Sequence, residues 1–345
     1  MELVDPLSRQ RAVLGGRVTA LYGPLTRYLP QAWGALYHAT NFQPVVQAVQ
    51  ETMGRGLRPA LRRALQPQPA LVASFHPMLN HVAADVVTPG TPLVTVITDW
   101  IDFHRAWTDR RVSRVICPSE AACRLCLRRG VPQEQLSCGN GLPIHPRFPE
   151  AIRRYPSRAL ARRVLGLRPH ARTVLLVGGG DGTEPLRTYA RALAQSPLDL
   201  QVLAVCGRNE PLARRIRADN HDGVHVYGFV HNMPELMLAS ELLITRAGPG
   251  MIAEGLACGC PLLLTGRLPG QEEANVEEVL RRRLGWFTPR PRQLVEAVTR
   301  WYGKPASDRE ADQARARAAG NPDRAFEIAE QFARLAVPSD GGARA

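Results

Sequence analysis

The sequence lacks any long apolar segment. Its longest apolar runs, such as residues 93–98 and 173–177, fall far short of the roughly 18–20 residues that a membrane-crossing helix needs. No apolar stretch follows Met1, so the pattern of a secretory signal is missing as well. We therefore expect a protein that meets a membrane only at its surface.

Lysine is nearly absent. Lys304 is the single lysine among 44 basic residues, and the others are arginines, which stay protonated at physiological pH and bind phosphate through a planar fork. The formal net charge of +13 should therefore favour anionic partners. Both halves of the chain share this excess and no basic arm exists, so we expect no nucleic-acid partner.

Patterns that bind metal are also scarce. No Asp-x-Asp occurs, and Cys123-x-x-Cys126 has no second cysteine or histidine pair at ligand spacing, so we expect no metal site. The seven cysteines follow no disulfide framework, and most lie within or beside apolar runs. This distribution predicts reduced, structural thiols and a location inside the cell.

The 345 residues suffice for two domains, and short β-branched runs alternate with amphipathic stretches along them. Predicted strands cover residues 71–74, 93–98 and 112–117, and then 173–177, 200–206, 224–227, 242–245 and 261–265. Residues 151–172 hold seven arginines and no acid, which indicates a basic hinge. We predict an α/β protein of two Rossmann-like, doubly wound domains facing a cleft, at residues 1–155 and 156–337, with a frayed tail at 338–345.

Glycine-rich turns follow two strands of the second series. Gly179 and Gly180 lie in a loop that does not match the dinucleotide pattern, so we predict either close backbone approach to another ligand or a plain turn. Gly248 and Gly250 expose a helix N-terminus that suits a diphosphate. Glu254, one turn later, suits a ribose diol, with an ordinary solvated glutamate as the alternative.

Gln271 and Glu272 come after the next strand and open at the same edge of the sheet. Adjacent amide and carboxylate groups at a helix start can bind vicinal sugar hydroxyls with donor and acceptor together. The alternative is that the acidic pair of Glu272 and Glu273 only complements the helix dipole.

With these residues in order, the chain resembles the monogalactosyldiacylglycerol synthase family from about Tyr22 to Phe287. The motifs that carry the likeness are residues 74–78, 94–99 with His104 and Trp107, 117–119, 141–144, 177–182, 206–209, 228–233, 245–254 and 269–275. The family consists of inverting transferases with the two-domain glycosyltransferase B fold, which move a sugar from a UDP-sugar to diacylglycerol.

The resemblance implies a role for each motif of the second domain. Phe229 and its neighbours would hold the uracil, Gly248 to Met251 the diphosphate, Glu254 the ribose, and Gln271 with Glu272 the sugar. Asn209 and the loop with Gly179 and Gly180 belong to the same donor side. The donor would be UDP-galactose or UDP-glucose, with no separate cofactor.

Two departures from the family stand out. Arg246 occupies a position where the family commonly has lysine, which keeps the charge and changes its geometry. Leu3-Val4-Asp5 resembles the end of the family's second strand, so the first βα unit, with its glycine loop and histidine, is expected to be missing from the amino-terminal domain. We hypothesise that Met1 is not the natural start.

The chemistry needs a base for the acceptor hydroxyl, and Asp99, His76 and His104 are the candidates, with Asp99 favoured because it directly follows a strand. Without Asp-x-Asp, the helix end at Gly248–Gly250 and Arg246 would carry the charge of departing UDP, so we expect a metal-independent reaction. The alternatives are a UDP-sugar 2-epimerase-like enzyme on the same scaffold and a non-catalytic UDP-sugar-binding remnant.

Residues 44–65 combine apolar side chains with arginines, a pattern that suits an anionic bilayer or a helix that covers its own domain. Gly54, Gly56 and Pro59 are expected to break this helix. We expect a cytoplasmic protein attached peripherally to anionic lipids of the inner face of the cell membrane.

Overall fold

The computed structural model describes residues 2–5, 23, 25–26, 29–179 and 185–337. The chain divides into two compact units. The first comprises Met1–Asn140, Leu268–Gln271 and Phe326–Ala345, and the second comprises Gly141–Arg267 and Glu272–Ala325. Each unit is built on one parallel sheet, which confirms the predicted α/β class.

The first unit holds a four-stranded parallel sheet in the order β1-β2-β3-β4. Leu3-Val4-Asp5 resembles the end of a strand in sequence, but the described residues 2–5 form no strand and pair with no other strand. The elements are α1 Pro30–Thr40, α2 Gln43–Ala64, β1 Val72–Ser74, α3 Pro77–Val86, β2 Leu93–Val96, a 3₁₀ turn Arg105–Trp107, β3 Arg114–Cys117, α4 Glu120–Arg128, a 3₁₀ turn Gln133–Gln135 and β4 Leu136–Cys138.

Helix α2 runs unbroken through Gly54, Gly56 and Pro59, so the expected break was wrong. Glycines inside a helix cost about 1 kcal/mol each and a proline about 3 kcal/mol. Leu57 and Leu61 are buried in the core of this unit, and burying a leucine contributes about 1.5–3 kcal/mol. Packing of the apolar face therefore offsets the weak helix propensity, and that face covers its own domain.

The second unit holds a six-stranded parallel sheet in the order β10-β9-β8-β5-β6-β7. The short edge strands β4 and β10 were not predicted. The elements of the second unit are α5 Arg147–Arg154, α6 Arg158–Val164, β5 Arg172–Val177, α7 Leu186–Ala194, β6 Leu200–Val205, α8 Glu210–Ala218, β7 Val224–Tyr227, α9 Met233–Ala239, β8 Leu242–Arg246, α10 Pro249–Ala257, β9 Leu262–Gly266, α11 Glu273–Arg281, β10 Gly285–Phe287, α12 Pro291–Tyr302 and α13 Ala306–Ala319. The chain then forms α14 Arg324–Ala336, most of which belongs to the first unit.

The division between the units falls at Asn140, earlier than the predicted boundary near residue 155. Residues 151–172 are not an open hinge, because half of them lie in α5 and α6. Two of their arginines fasten α6 to the end of α9 within the second unit: Arg158 Nε donates to the Ser240 carbonyl at 2.9 Å and Arg162 Nε to the Ala239 carbonyl at 2.7 Å.

Helix α14 also departs from the predicted domains. Ile328 packs with Val94, Val96 and Ile116 of the first sheet, so residues from Phe326 onward belong to the first unit. The sequence near the division between the two units does not show that a much later helix packs on the first sheet. The predicted tail at 338–345 lies outside the described residues.

The expectation of reduced thiols was wrong for one pair, since Cys123 and Cys138 form a disulfide. Strand β4 places Cys138 beside Cys117 of β3 in register, and Cys123 on α4 lies within reach, with a Cα–Cα distance of 5.9 Å. This disulfide could not be predicted without β4, which the sequence pattern did not reveal. This pairing also rules out Cys123 as half of a zinc site in the described structure.

Candidate functional site

The order in which the chain adds strands to the second sheet reverses between β5 and β8. These strands are neighbours in parallel register, while the chain proceeds from β5 toward β7 on one side and from β8 toward β10 on the other. In open α/β sheets the ligand crevice forms at the carboxyl ends of strands at such a switch point. The loops that begin at Gly178 and at Ala247 therefore frame the expected ligand site of this unit.

Gly179 follows β5 with φ of +73° and open space where a Cβ would stand. This left-handed conformation favours glycine, and the bare backbone permits close approach of a ligand. Gly180 lies outside the described residues, so its predicted role stays a prediction.

The N-terminus of α10 is open to an anion. Gly248 is the N-cap and offers no side-chain cap, and no atom lies within 4 Å of the position of a Cβ on Gly250. Unpaired N–H groups of a first helical turn attract negative charge. Met251 lies half-buried in the same turn, so the three residues predicted for the diphosphate share one helix end.

A cation and a carboxylate flank this helix end. Arg246 Nη2 lies 3.6 Å from Glu272 Oε2, and Glu272 Oε1 is 3.7 Å from the position of a Cβ on Gly248. Asn275 Nδ2 donates to the carbonyl of Ala247 at 3.0 Å, which ties the start of α11 to the loop before α10. Arg246, Gly248 and Glu272 therefore lie close together, and their roles toward a ligand stay a prediction.

Glu254 is half-buried on α10. Burial raises the pKa of its carboxyl from 4.5 to about 7. No hydrogen bond or ion pair to this carboxyl is found among the residues that the structure describes. A buried carboxyl without a donor is costly, and hydroxyl donors from a ligand would supply what the protein does not.

The loops after β6 and β7 carry Asn209 and Phe229. Asn209 Oδ1 accepts from the Leu212 N–H at 3.1 Å and so caps α8. The ring of Phe229 is 52% exposed, with the Arg208 guanidinium 4.9 Å from its centroid. An exposed aromatic beside a cation suits a flat base next to a phosphate. Arg208 was not among the predicted site residues, although it lies in the motif of residues 206–209.

In the first unit, Asp99 follows β2 and is held by two donors. Trp107 Nε1 donates to Oδ2 at 2.7 Å and Gln271 Nε2 donates to Oδ1 at 3.2 Å. Burial raises the pKa of Asp99, and these two hydrogen bonds oppose the rise. Gln271 Oε1 is buried without a hydrogen-bond partner in the described structure. The carboxyl is thus oriented and has a pKa above its ordinary value, two properties of a general base.

The two histidine candidates serve as helix caps. His76 Nδ1 accepts from the Met78 N–H at 3.3 Å, and His104 Nδ1 accepts from the Ala106 N–H at 3.2 Å. Burial, together with the charge of Arg129, lowers the pKa of His104 to about 4. Capping places the proton of each neutral ring on Nε2, so neither ring offers Nδ1 as a base. The geometry favours Asp99 among the three.

The arginines of α2 are not equivalent. Arg58 Nε donates to Asp85 Oδ2 at 2.7 Å and its Nη2 also contacts Glu51, so its charge is already compensated. Arg62 and Arg63 are exposed. Across the described ranges, no helix is both long and apolar enough to cross a bilayer.

Two known family profiles match separate parts of the chain. Residues 3–144 match the family profile of monogalactosyldiacylglycerol synthase, and residues 173–323 match that of the glycosyltransferase family 28 C-terminal domain. The two matches cover the two sheets separately. They place Asp99 in the first match and Gly248, Glu254 and Glu272 in the second.

The chain is similar to chloroplast enzymes of plants. A probable monogalactosyldiacylglycerol synthase of Nicotiana tabacum is 33% identical over 313 residues, which cover 87% of this chain and 56% of the relative. Monogalactosyldiacylglycerol synthase 3 of Arabidopsis thaliana is 30% identical, with 88% of this chain and 67% of the relative covered. The chain thus spans a little over half the length of the first relative.

Solved structures share the fold. MurG of Acinetobacter baumannii superposes with a TM-score of 0.59 at 17% identity, covering 81% of this chain and 78% of that one. A UDP-GlcNAc 2-epimerase of Neisseria meningitidis, bound to UDP-GlcNAc, gives a TM-score of 0.60 at 12% identity, covering 83% and 82%. These similarities confirm the predicted glycosyltransferase B fold. At such low sequence identities they support the fold and not a shared activity.

Proposed function

The chain belongs to the monogalactosyldiacylglycerol synthase family, and on that premise we propose that it transfers a hexose from a UDP-sugar to diacylglycerol. The observation that carries the proposal is the open N-terminus of α10 at the switch point of the second sheet, followed one turn later by the half-buried Glu254, whose carboxyl has no partner among the residues that the structure describes. A nucleoside diphosphate supplies both the anion and the ribose hydroxyls that this arrangement lacks. The names of the relatives favour UDP-galactose, with UDP-glucose as the other donor to test.

Asp99 is the proposed base. Its carboxylate takes the proton of the acceptor hydroxyl, and the hydroxyl oxygen then bonds to the anomeric carbon as the bond to UDP breaks on the opposite face, which inverts the configuration. The donors Trp107 and Gln271 hold the carboxylate in one orientation, so little reorganisation is needed. The negative charge that develops on UDP is stabilised by the N–H groups at Gly248–Gly250 and by Arg246.

The proposed reaction needs no divalent cation, because the helix end and Arg246 provide the positive potential and the sequence has no Asp-x-Asp. The acceptor is a membrane lipid, so we propose action at the cytoplasmic surface of an anionic membrane. The exposed arginines Arg62 and Arg63 favour such a surface. The apolar face of α2 does not contribute, since it lies in the core of the first unit.

The test is to incubate the full chain with UDP-galactose or UDP-glucose and diacylglycerol vesicles in the presence of EDTA, and to identify lipid products by mass spectrometry. We expect a monohexosyl lipid of β configuration, formed from an α-linked donor. UDP release that does not depend on diacylglycerol would instead indicate the epimerase-like alternative. UDP binding without any turnover would indicate the non-catalytic alternative.

A further inference from the structure

A cationic cavity lies in the first unit, separate from the site described above. It has a volume of about 520 Å³ and is formed by the C-terminal end of α1, the 3₁₀ turn after His104 and the C-terminal end of α4. None of its lining residues belongs to the site described above. The polar and charged side chains around it, with one exposed aromatic, are His38, Asn41, Phe42, Arg105, Arg128 and Arg129.

Arg129 is the unusual member of this cavity. Its side chain is only 8% exposed, its Nη2 donates to the Phe103 carbonyl at 2.7 Å, and its guanidinium stacks 4.7 Å from the Phe103 ring centroid. Its Nε and Nη1 are buried and have no hydrogen-bond partner among the described residues. A buried guanidinium with two unpaired nitrogens carries a desolvation cost that a neighbouring anion would lower.

The surrounding charge is one-sided. No ion pair of the Arg105 or Arg128 side chain is found in the described part of the chain, whereas Asp102 Oδ1 lies 3.9 Å from Arg129 Nη2 and is 53% exposed. Three arginines therefore line the cavity, and the carboxylate nearest to Arg129 is partly solvated. Asn41 Oδ1 accepts from the Arg105 N–H at 2.8 Å, which fixes the backbone from which the Arg105 side chain extends.

We propose that this cavity binds a phosphate group. Arginine forks match phosphate oxygens in a bidentate geometry, and the double charge of phosphate balances the net excess of the three arginines over Asp102. The lining is apolar at Phe42, which is 64% exposed, and at the half-buried Leu125. The same chemistry could therefore come from free phosphate or from the headgroup of a phosphate-bearing lipid.

Calorimetry with inorganic phosphate on the full chain tests the site. The double variant Arg105→Gln/Arg128→Gln removes two partly or fully exposed side chains, so we expect it to fold and to weaken phosphate binding at least about tenfold. Arg129→Gln should act in the same direction. The matched control Arg214→Gln/Arg215→Gln removes two exposed arginines of α8 in the second unit and should leave the affinity for phosphate unchanged.

A measurement on the wild-type chain avoids any folding defect of the variants. The positive charge of Arg129 contributes to the low pKa of His104, which is about 4. A phosphate bound at Arg129 offsets that charge, so the pKa of His104 followed by NMR should rise when inorganic phosphate is added at constant ionic strength. Chloride at the same ionic strength should not change it.

Vesicles distinguish the two sources. Flotation is measured with phosphatidylcholine vesicles that contain or lack dihexadecyl phosphate, and inorganic phosphate is added as competitor. Release of the protein by phosphate supports the site with a lipid headgroup as ligand, whereas phosphate binding without such competition supports it with free phosphate as ligand. Absence of phosphate binding by calorimetry, or equal affinity in wild type and both arginine variants, overturns the proposal. None of these measurements depends on sugar transfer.

Discussion

Asp99 in the first unit and Glu254 in the second are both carboxyl groups whose pKa burial raises, yet their surroundings differ. Asp99 accepts hydrogen bonds from Trp107 and Gln271, whereas Glu254 receives none from the residues that the structure describes. Fixed donors orient a group for chemistry on another molecule. A buried group without donors is instead completed by what binds to it.

This difference assigns the two carboxyl groups to separate tasks. Asp99 is prepared to move a proton, and Glu254 is prepared to accept hydrogen bonds from a ligand. Substitutions at the two carboxyl groups should therefore affect turnover and UDP binding differently.

The largest effect is expected from Asp99→Asn, which removes the proposed base. Loss of a general base reduces turnover by about 10²–10⁴-fold, while the affinity for UDP should not change because the UDP-binding residues lie in the other unit. Sugar transfer and UDP calorimetry on the same preparations measure the two quantities. Asp102→Asn, which alters a neighbouring exposed carboxylate, is the control. A variant that keeps its turnover, or that loses UDP affinity instead, contradicts the assignment.

The next effect concerns Glu254→Ala. Removing a charged hydrogen-bond partner of the ribose should weaken UDP binding by about 1.5–3 kcal/mol, which is roughly 10- to 100-fold in Kd. Titration calorimetry in EDTA provides the measurement. Glu296→Ala, which removes a half-exposed helix glutamate paired with Arg292 in the same unit, should leave UDP affinity at its wild-type value. Equal affinity in both variants would show that Glu254 is an ordinary helix residue.

The contrast between the units also explains what the sequence could predict. Gly248, Gly250 and Glu254 lie within one strand-turn-helix segment, so local spacing was enough to bring them together. The Trp107 donor to Asp99 and the Gln271 donor are 8 and 172 residues away along the chain. Trp107 was noted only as part of a motif, and Gln271 was predicted to bind sugar, because no local pattern shows which carboxylate a distant amide will reach.

Other differences have the same origin. Strands β4 and β10 have three residues each and lie at sheet edges, so neither offers the apolar run that revealed the central strands. The disulfide between Cys123 and Cys138 depends on β4. Helix α14 joins the first unit through Ile328, a contact that composition alone does not reveal.

Trp107→Phe tests the contribution of one of the two hydrogen bonds that Asp99 accepts. The indole N–H stabilises the charged form of the carboxyl, so its loss should raise the pKa of Asp99 further. A charged hydrogen bond of about 1.4 kcal/mol corresponds to about one pH unit, and the acid limb of the pH–rate profile should therefore move to higher pH by that amount. Trp100→Phe, another buried tryptophan of this loop, is the control. If the acid limb of the pH–rate profile lies at the same pH in both variants and both lose the same rate, Trp107 acts only through packing.

The smallest effect is the pH dependence of UDP binding. The carboxyl of Glu254 has a pKa of about 7 in the free protein, and ribose hydroxyls donate more strongly to its ionised form, so UDP lowers that pKa and releases a proton. Affinity should accordingly rise several-fold from pH 6 to pH 8, as a carboxyl titrating near neutrality requires. The terminal phosphate of UDP also titrates in this range, and for that reason the profile must be compared with that of Glu254→Gln, which should be flatter.

Ionisation of Glu254 should have opposite effects on UDP affinity, which rises with pH, and on the stability of the free protein, which falls with pH. Measuring both effects tests whether Glu254 binds the ligand. Its pKa in the folded chain is about 7 against an ordinary 4.5, so the folded state holds the proton more tightly than the unfolded state. The stability that this protonation contributes is fully present below pH 4.5 and is lost as the pH rises through about 7. Without UDP, the Tm of the wild-type chain should therefore fall relative to that of Glu254→Gln between pH 5 and pH 8, and saturating UDP should reverse the difference because the hydroxyls then satisfy the carboxylate. A Tm difference that does not change with pH, or that UDP leaves in place, would mean that Glu254 is solvated, and the contrast with Asp99 would disappear.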